Sequence, residues 1–330
     1  MHEKRAYKYH CDVCKSKLQK RGLTAAGTQR WFCPKCSASS TKGRSDLSRG
    51  YVLENFVDWL AGKDSQGELG GSARTFRDKT EWCWDVRPPS KLTGEIHHAI
   101  IVDGIVVGNQ VCLIARTTNF VICWIWVPYE NSANWSRLFV MFPPPKYVVC
   151  DGQKGLIKAL NICWPSVVIQ RCRFHVWLNV KARLTLRPES KAGRELLKLT
   201  RDLLHVRTRR RARRWKRDLK RWYKRHEGYV NARTIDPNPR KHKRKWRYTH
   251  EKLRSAYRQL NRQTDDLLRS SYRPHSELPG TTNHLEGGIN SPIRRLLNYH
   301  RGMPQQHQMR LVDWYLYGRT ENPKPPRKCL

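Results

Sequence analysis

Residues 96–127 read IHHAIIVDGIVVGNQVCLIARTTNFVICWIWV. Ile, Val, Trp and Phe crowd this stretch and short polar groups interrupt it, the pattern of successive β-strands joined by turns. The pattern predicts strands over Ile96–Asp103, Ile105–Val107, Val111–Ala115 and Phe120–Val127, which form a meander. Two turn sites compete, because Asp103-Gly104 and Gly108-Asn109 both carry hairpin chemistry. The reading favours Gly108-Asn109, which leaves Asp103 on a strand.

Further along, a helix-like stretch over Ala133–Phe142 ends at Pro143-Pro144-Pro145. Tyr147–Asp151 reads as a buried strand, Lys154–Ile162 as a helix and Val167–Arg171 as another strand. The order βββ-α-β-α-β is that of a mixed α/β domain. Asp103 ends the first strand run and Asp151 the fourth. Asp151-Gly152 is not a simple hairpin, since the residues after it have helical periodicity; its structural alternative is an N-cap. A third acid, Glu286, lies in Thr281-Thr-Asn-His-Leu-Glu286-Gly-Gly-Ile-Asn290, where Asn283, Glu286 and Asn290 share a helix face. Its alternative is a first-turn glutamate favoured by the helix dipole.

These acids are scarce. The 330 residues hold 65 Lys and Arg against 27 Asp and Glu, a formal charge of +38, so the chain seeks polyanions. It also holds 13 Trp, 13 Tyr and 7 Phe with 38% hydrophobic residues, which excludes a disordered basic tail. The longest apolar run, Phe120–Val127, is too short to cross a bilayer and the N-terminus lacks an apolar signal core. Eleven Cys, several inside apolar runs, fit a reducing cytoplasmic compartment.

Cys11-Asp-Val-Cys14 and Cys33-Pro-Lys-Cys36, separated by 18 residues, have the spacing of a Zn²⁺ ribbon. From Ser48, Tyr51, Val52, Asn55, Phe56, Trp59 and Leu60 line one helix face, and Ser72 can cap a second helix running to about Trp84. Such a pair suggests a helix-turn-helix whose second helix carries Arg74, Arg77 and Lys79 into a DNA groove.

A segment of about 100 residues before Glu286 is too helical and too charged to be a loop. Within Arg207–Arg225, Lys and Arg fill 12 of 19 positions, while Trp215, Leu219, Trp222 and His226 recur at helical spacing. With almost no compensating acids, Arg210, Arg211, Arg214, Lys216 and Arg217, and further on Lys243, Arg244 and Lys245, are candidates for phosphate contact. Core packing is the favoured role for Trp215 and Trp246.

Asp103, Asp151 and Glu286, the run Gln170-Arg-Cys172-Arg-Phe-His175-Val-Trp-Leu-Asn179 and the basic helical stretch together resemble Mutator-like transposases of prokaryotic insertion sequences, in the DDE superfamily. The resemblance covers roughly Glu95 to Gly318 and implies a ribonuclease-H-like catalytic core. The expected architecture is α/β: a zinc ribbon (1–43), a helix-turn-helix-like segment (44–90), the core's first part (91–187), a basic all-α insertion (188–276) and the core's last part with the Glu helix (277–330). The resemblance further implies that Asp103, Asp151 and Glu286 hold Mg²⁺ or Mn²⁺ for DNA cleavage and strand transfer. Cys172 and His175, a single C-x2-H pair with no second pair to close a zinc site, would lie near the active site, as would Asn283. The expected partners are double-stranded transposon ends and target DNA, bound by a homodimer in a nucleoid-associated complex, with no membrane. The alternative is a non-catalytic zinc-ribbon DNA-binding protein, a regulator or decayed transposase, which needs the ribbon and the basic helices but not the acids.

Overall fold

The computed structural model describes residues 10–11, 13–41, 49–68, 72–89, 94–235, 245–272, 278–280 and 289–330. Asn283, Glu286, Lys243 and Arg244, singled out above, lie outside the described residues. The chain divides into two compact units, one of Met1–Lys91 with Ser291–Leu330 and one of Leu92–Asn290.

In the first unit, β1 (Gln19–Leu23), β2 (Gln29–Phe32) and β3 (Ser39–Thr41) form a small antiparallel sheet in that order. None of these strands buries a side chain fully, so apolar burial does not explain the sheet and a covalent or metal staple is needed. α1 (Arg49–Ala61) buries Leu53, Phe56, Trp59 and Leu60. The expected stripe is thereby corrected: positions 53, 56 and 60 share an arc at 3.6 residues per turn, and Tyr51 and Asn55 face solvent.

α2 (Ala73–Thr80) begins at Ser72, whose Oγ accepts from Thr75 N–H at 3.1 Å, and gives way to a tighter 3-10 turn over Glu81–Asp85 short of the expected end. Trp59 lies against Phe76 at 5.1 Å and Phe56 against Trp84 at 4.6 Å. The C-terminal helices Ser291–Tyr299 and Gln305–Tyr317 join this cluster. His300 meets Trp59 edge-on, His307 stacks on Trp84 at 3.8 Å, and Arg310 Nε donates to Trp84 O at 2.9 Å.

The second unit is built on a five-stranded mixed sheet. β4 (Ala99–Val107), β5 (Gln110–Arg116) and β6 (Val121–Val127) are the antiparallel meander. The turn falls at Gly108-Asn109, with Gly108 at φ 58°, the left-handed geometry that the first centre of a type II′ hairpin requires. Ile105–Val107 is therefore the continuation of the first strand, and Asp103 sits within it. α3 (Ser132–Phe139) follows, capped by Asn131, then β7 (Tyr147–Cys150), α4 (Lys154–Cys163) and β8 (Val168–Arg171). The strand order is β6-β5-β4-β7-β8, with β4, β7 and β8 parallel.

Alternation along these strands makes two apolar faces. Ile100, Val102, Val148 and Cys150 pack with Trp135, Leu138 and Leu156 of α3 and α4. Ile101, Tyr147 and Val149 pack with Leu278 on the opposite side.

α5 (Arg173–Leu184), α6 (Lys191–Leu203) and α7 (Arg209–Asn231) continue the chain. α8 (Glu251–Arg262) and α9 (Thr264–Tyr272) complete a helical core in which Val176, Leu196, Trp215, Trp222, Leu260 and Leu267 are buried together. Trp215 Nε1 donates to Leu199 O at 2.8 Å and Trp222 Nε1 to Ala192 O at 3.1 Å, so both indoles are core anchors. The expectation of an all-α insertion is corrected. β9 (Arg233–Ile235) and β10 (Trp246–Tyr248) form an antiparallel pair between α7 and α8. Their Thr, Ile, Trp and Tyr favour strand, a signal that the flanking Lys and Arg hid. Arg233 lies 4.1 Å over the Trp246 ring.

Candidate active site

β4 and β7 pair with a constant offset of 48 residues, Ala99 opposite Tyr147 and Ile101 opposite Val149. Carried on by one step of alternation, the same register sets Asp103 level with Asp151. Adjacent strands are about 4.8 Å apart, so two chain-distant carboxylates arrive side by side. Both have the parity of Ile101 and Val149 and therefore belong to the sheet face opposite α3 and α4.

Local hydrogen bonds orient each acid. Asp103 Oδ1 accepts from Gly104 N–H at 3.0 Å and Oδ2 from Asn290 Nδ2 at 2.8 Å. Asn290 lies in a π-helical turn, a geometry often found at functional sites. Asp151 Oδ1 accepts from Gln153 N–H at 2.9 Å. Gln153, not Asp151, is the N-cap of α4, so the capping alternative for Asp151 is set aside. Gly152 turns the chain away with φ 73°, and Arg171 Nη1 donates to its carbonyl at 2.7 Å.

A third carboxylate, missed in the sequence, stands close by. An ideal Cβ on Gly104 would lie 2.4 Å from Glu130 Oε1, so Glu130 rests directly on the backbone beside Asp103. Its signal in the sequence is slight: an acid in the short connection after β6, one place ahead of the cap of α3. Burial, then repulsion from Asp151 and Asp103, pushes Glu130 up to about 7. Burial also pushes Asp103 up to about 6, against the pull of His175 and with the push of Asp151.

The C-x2-H run forms the start of α5. Cys172 is fully buried and caps the helix, its Sγ accepting from His175 N–H at 3.5 Å. Its own N–H donates to Cys150 O at 2.8 Å, tying the turn to the end of β7. Burial opposes a charge on His175, but the Cys172 sulfur and the Asp103 and Asp151 carboxylates outweigh it and push the imidazole up to about 9. The structure thus brings Asp103, Asp151, Cys172 and His175 into one locality, together with Glu130 and Asn290.

The four ribbon cysteines converge separately. Their sulfurs all lie within 4.8 Å of one another, Cys11 to Cys36 at 3.5 Å and Cys14 to Cys33 at 3.3 Å. Tetrahedral Zn–S bonds of about 2.3 Å set sulfurs about 3.8 Å apart, so the cluster fits zinc. Among the described residues no other group of three or more ligand atoms gathers so tightly. None of the eleven cysteines is joined in a disulfide.

Of the candidate phosphate contacts, Arg210, Arg211, Arg214, Lys216 and Arg217 are exposed on α7, opposite the buried Trp215, Leu219 and Trp222. Arg214 reaches Asp218 at 3.7 Å and Lys216 reaches Asp265 at 3.1 Å, while Arg211 Nη1 donates to His205 O at 3.3 Å. Arg74, Arg77 and Lys245 are also exposed. Among the described residues, no helix is long and apolar enough to cross a membrane.

No protein in the curated set matches the chain. Residues 125–200, from the end of β6 through most of α6 with Glu130, Asp151, Cys172 and His175 inside them, match the family model described as transposase, Mutator family, and it is this stretch of the chain that is similar to that family.

Proposed function

We propose that the protein is a DDE transposase of an insertion sequence, which binds transposon ends and catalyses metal-dependent DNA cleavage and strand transfer with Asp103, Asp151 and Glu286. The observation that carries this reading is the register of β4 and β7, which sets Asp103 level with Asp151 on one face of the sheet. The strand order β6-β5-β4-β7-β8, an antiparallel meander followed by two parallel strands, supports a ribonuclease-H-like core. Asn290 bonded to Asp103 supports the third acid, because Glu286 stands four residues before it, the spacing of one helix face.

The donor set fits a hard divalent cation. Asp103, Asp151 and Glu130 offer only oxygen ligands, and the repulsion that raises Glu130 is what a cation would relieve. Asp103, Asp151 and Glu286 would hold Mg²⁺ or Mn²⁺, which when bound would supply activation of a water or 3′-hydroxyl and stabilisation of the leaving oxygen. His175, held toward its protonated form by the Cys172 sulfur first and by the Asp103 and Asp151 carboxylates after it, would offer a positive charge to the scissile phosphate. Gly104 and Asn290 hold Asp103 in one rotamer, so the carboxylate need not reorganise when substrate arrives.

The exposed Arg and Lys of α7, with Arg74, Arg77 and Lys245, supply the phosphate contacts, and the pairing of two transposon ends calls for a homodimer at the nucleoid. The domain division set out from the sequence remains part of this proposal. The test is incubation with Mg²⁺ and a labelled duplex copied from the DNA flanking the gene. Nicking to a 3′-OH and joining to a plasmid should occur with wild type and vanish in Asp151→Asn. Binding without cleavage in both Mg²⁺ and Mn²⁺ would defeat the proposal.

A further inference from the structure

Arg173 lies inside the C-x2-H run and is 2% exposed. Its Nε donates to Leu267 O at 2.7 Å, and its Nη2 donates to Ser271 Oγ at 2.7 Å and Ser270 Oγ at 2.9 Å. Nη1 donates to Val206 O. Each of these partners is neutral. A guanidinium buried among neutral groups is unfavourable, and burial pulls Arg173 down to about 10.

What the side chain does is join separate pieces of chain. Val206 belongs to the connection between α6 and α7, and Leu267, Ser270 and Ser271 to the second half of α9. Its positive charge suits the C-terminal end of that helix. The Arg173 backbone N–H donates to Gly280 O at 3.3 Å, and a Cβ on Gly280 would lie 2.7 Å from Nη1. Gly280 therefore lets the guanidinium in. Gln170, fully buried, repeats the link: its Nε2 donates to Leu267 O at 3.0 Å and its Oε1 accepts from Ser270 N–H at 2.8 Å.

We infer that Arg173 is a positioning residue, which locks the C-x2-H turn to the end of the helical insertion so that the chain leaving Gly280 toward Glu286 starts from a fixed point. The same turn is bonded to Cys150 at the end of β7. The turn's backbone thus reaches both the end of β7, through Cys172 N–H, and Gly280, through Arg173 N–H, and the Arg173 guanidinium fixes that turn against Val206 and α9. The inference rests on the reading of the site given above.

Full-length wild type, Arg173→Met, Arg173→Lys and Gly280→Ala are compared in three measurements. These are binding to the end duplex, strand joining across a Mg²⁺ titration, and amide hydrogen exchange over residues 278–290. Arg173→Met should bind the duplex as wild type does, lose joining by about 100-fold, require more Mg²⁺ and exchange faster over 278–290 with β4 and β7 unchanged. Arg173→Lys should recover part of the loss. A lower thermal midpoint with an unmoved Mg²⁺ requirement and unmoved exchange would overturn the inference, since that is what a structural role alone produces. If Arg173→Met does not fold, Gly280→Ala disturbs the same joint and decides the matter in the same way. Should wild type show no metal-dependent joining, the reading of the site fails, and the exchange data alone then uphold or overturn the positioning role.

Discussion

Asn290 Nδ2 donates to Asp103 Oδ2 across 2.8 Å, so a residue 187 positions downstream holds the carboxylate of the first strand. A hydrogen bond to a charged group contributes about 1.5–3 kcal/mol. Asn290→Leu should therefore slow joining by about 10- to 100-fold while leaving duplex binding intact. Single-turnover joining alongside a binding titration separates the two. A rate equal to wild type would show that Asp103 needs no such restraint.

Gly152 has φ 73°, and a Cβ there would fall 1.6 Å from Arg171 Nη1. Gly152→Ala should destabilise the protein by more than about 1–2 kcal/mol, seen as a lower thermal midpoint. Gly104→Ala differs, because the atom in its way is the flexible end of Glu130. It should displace that carboxylate and raise the Mg²⁺ requirement with a smaller change in midpoint.

Burial and neighbouring carboxylates hold Asp103 up at about 6 and Glu130 up at about 7. Both groups bind protons more tightly folded than unfolded, where a carboxylate titrates near about 4. Their contribution to stability is thus complete below about pH 4 and is lost as pH rises through about 6 and about 7. Between pH 5 and pH 8, the thermal midpoint of metal-free wild type should fall more steeply than that of Glu130→Gln. Mg²⁺ should stabilise wild type more at pH 8 than at pH 5. Parallel curves for the two proteins would refute the assignment of this titration.

The ribbon should release one Zn²⁺ per chain to a strong chelator, and Cys33→Ser should lower its zinc affinity. Loss of metal should unfold β1–β3, whose strands bury no side chain fully, and leave the five-stranded sheet of the other unit intact. Circular dichroism with a zinc-sensitive dye measures both. A ribbon that keeps its structure without zinc would contradict the staple argument.

On α7, Arg210→Gln and Arg217→Gln should each lower the slope of log K against log salt by about 0.9. Arg214 and Lys216, already near Asp218 and Asp265, should lower it less. Trp222→Ala, by contrast, should cost about 3–5 kcal/mol through its buried core position.

The strands and their turns were legible because β-branched runs and Gly108-Asn109 state their geometry locally. Asp103 and Asp151 were legible as acids on or beside strands in an acid-poor chain, although Asp103 lies within β4 and not at its end. Their juxtaposition was not, since register between parallel strands depends on everything packed between them. Glu130 was not legible, because its importance comes from lying on Gly104, a contact without sequence periodicity. Arg173 was lost among so many basic residues, nearly all of which face solvent. The β9–β10 pair was hidden for a related reason, its short strands being embedded in charge.

The offset of 48 residues between Asp103 and Asp151 also bears on how the chain folds. Contacts between distant positions form late, because chain closure must be accomplished before they stabilise anything. The pairing of β4 with β7 closes a stretch of chain that holds the rest of the meander and α3. A partly synthesised or partly unfolded chain therefore holds Asp103 and Asp151 apart, and under the proposed function it would leave a bound strand uncut.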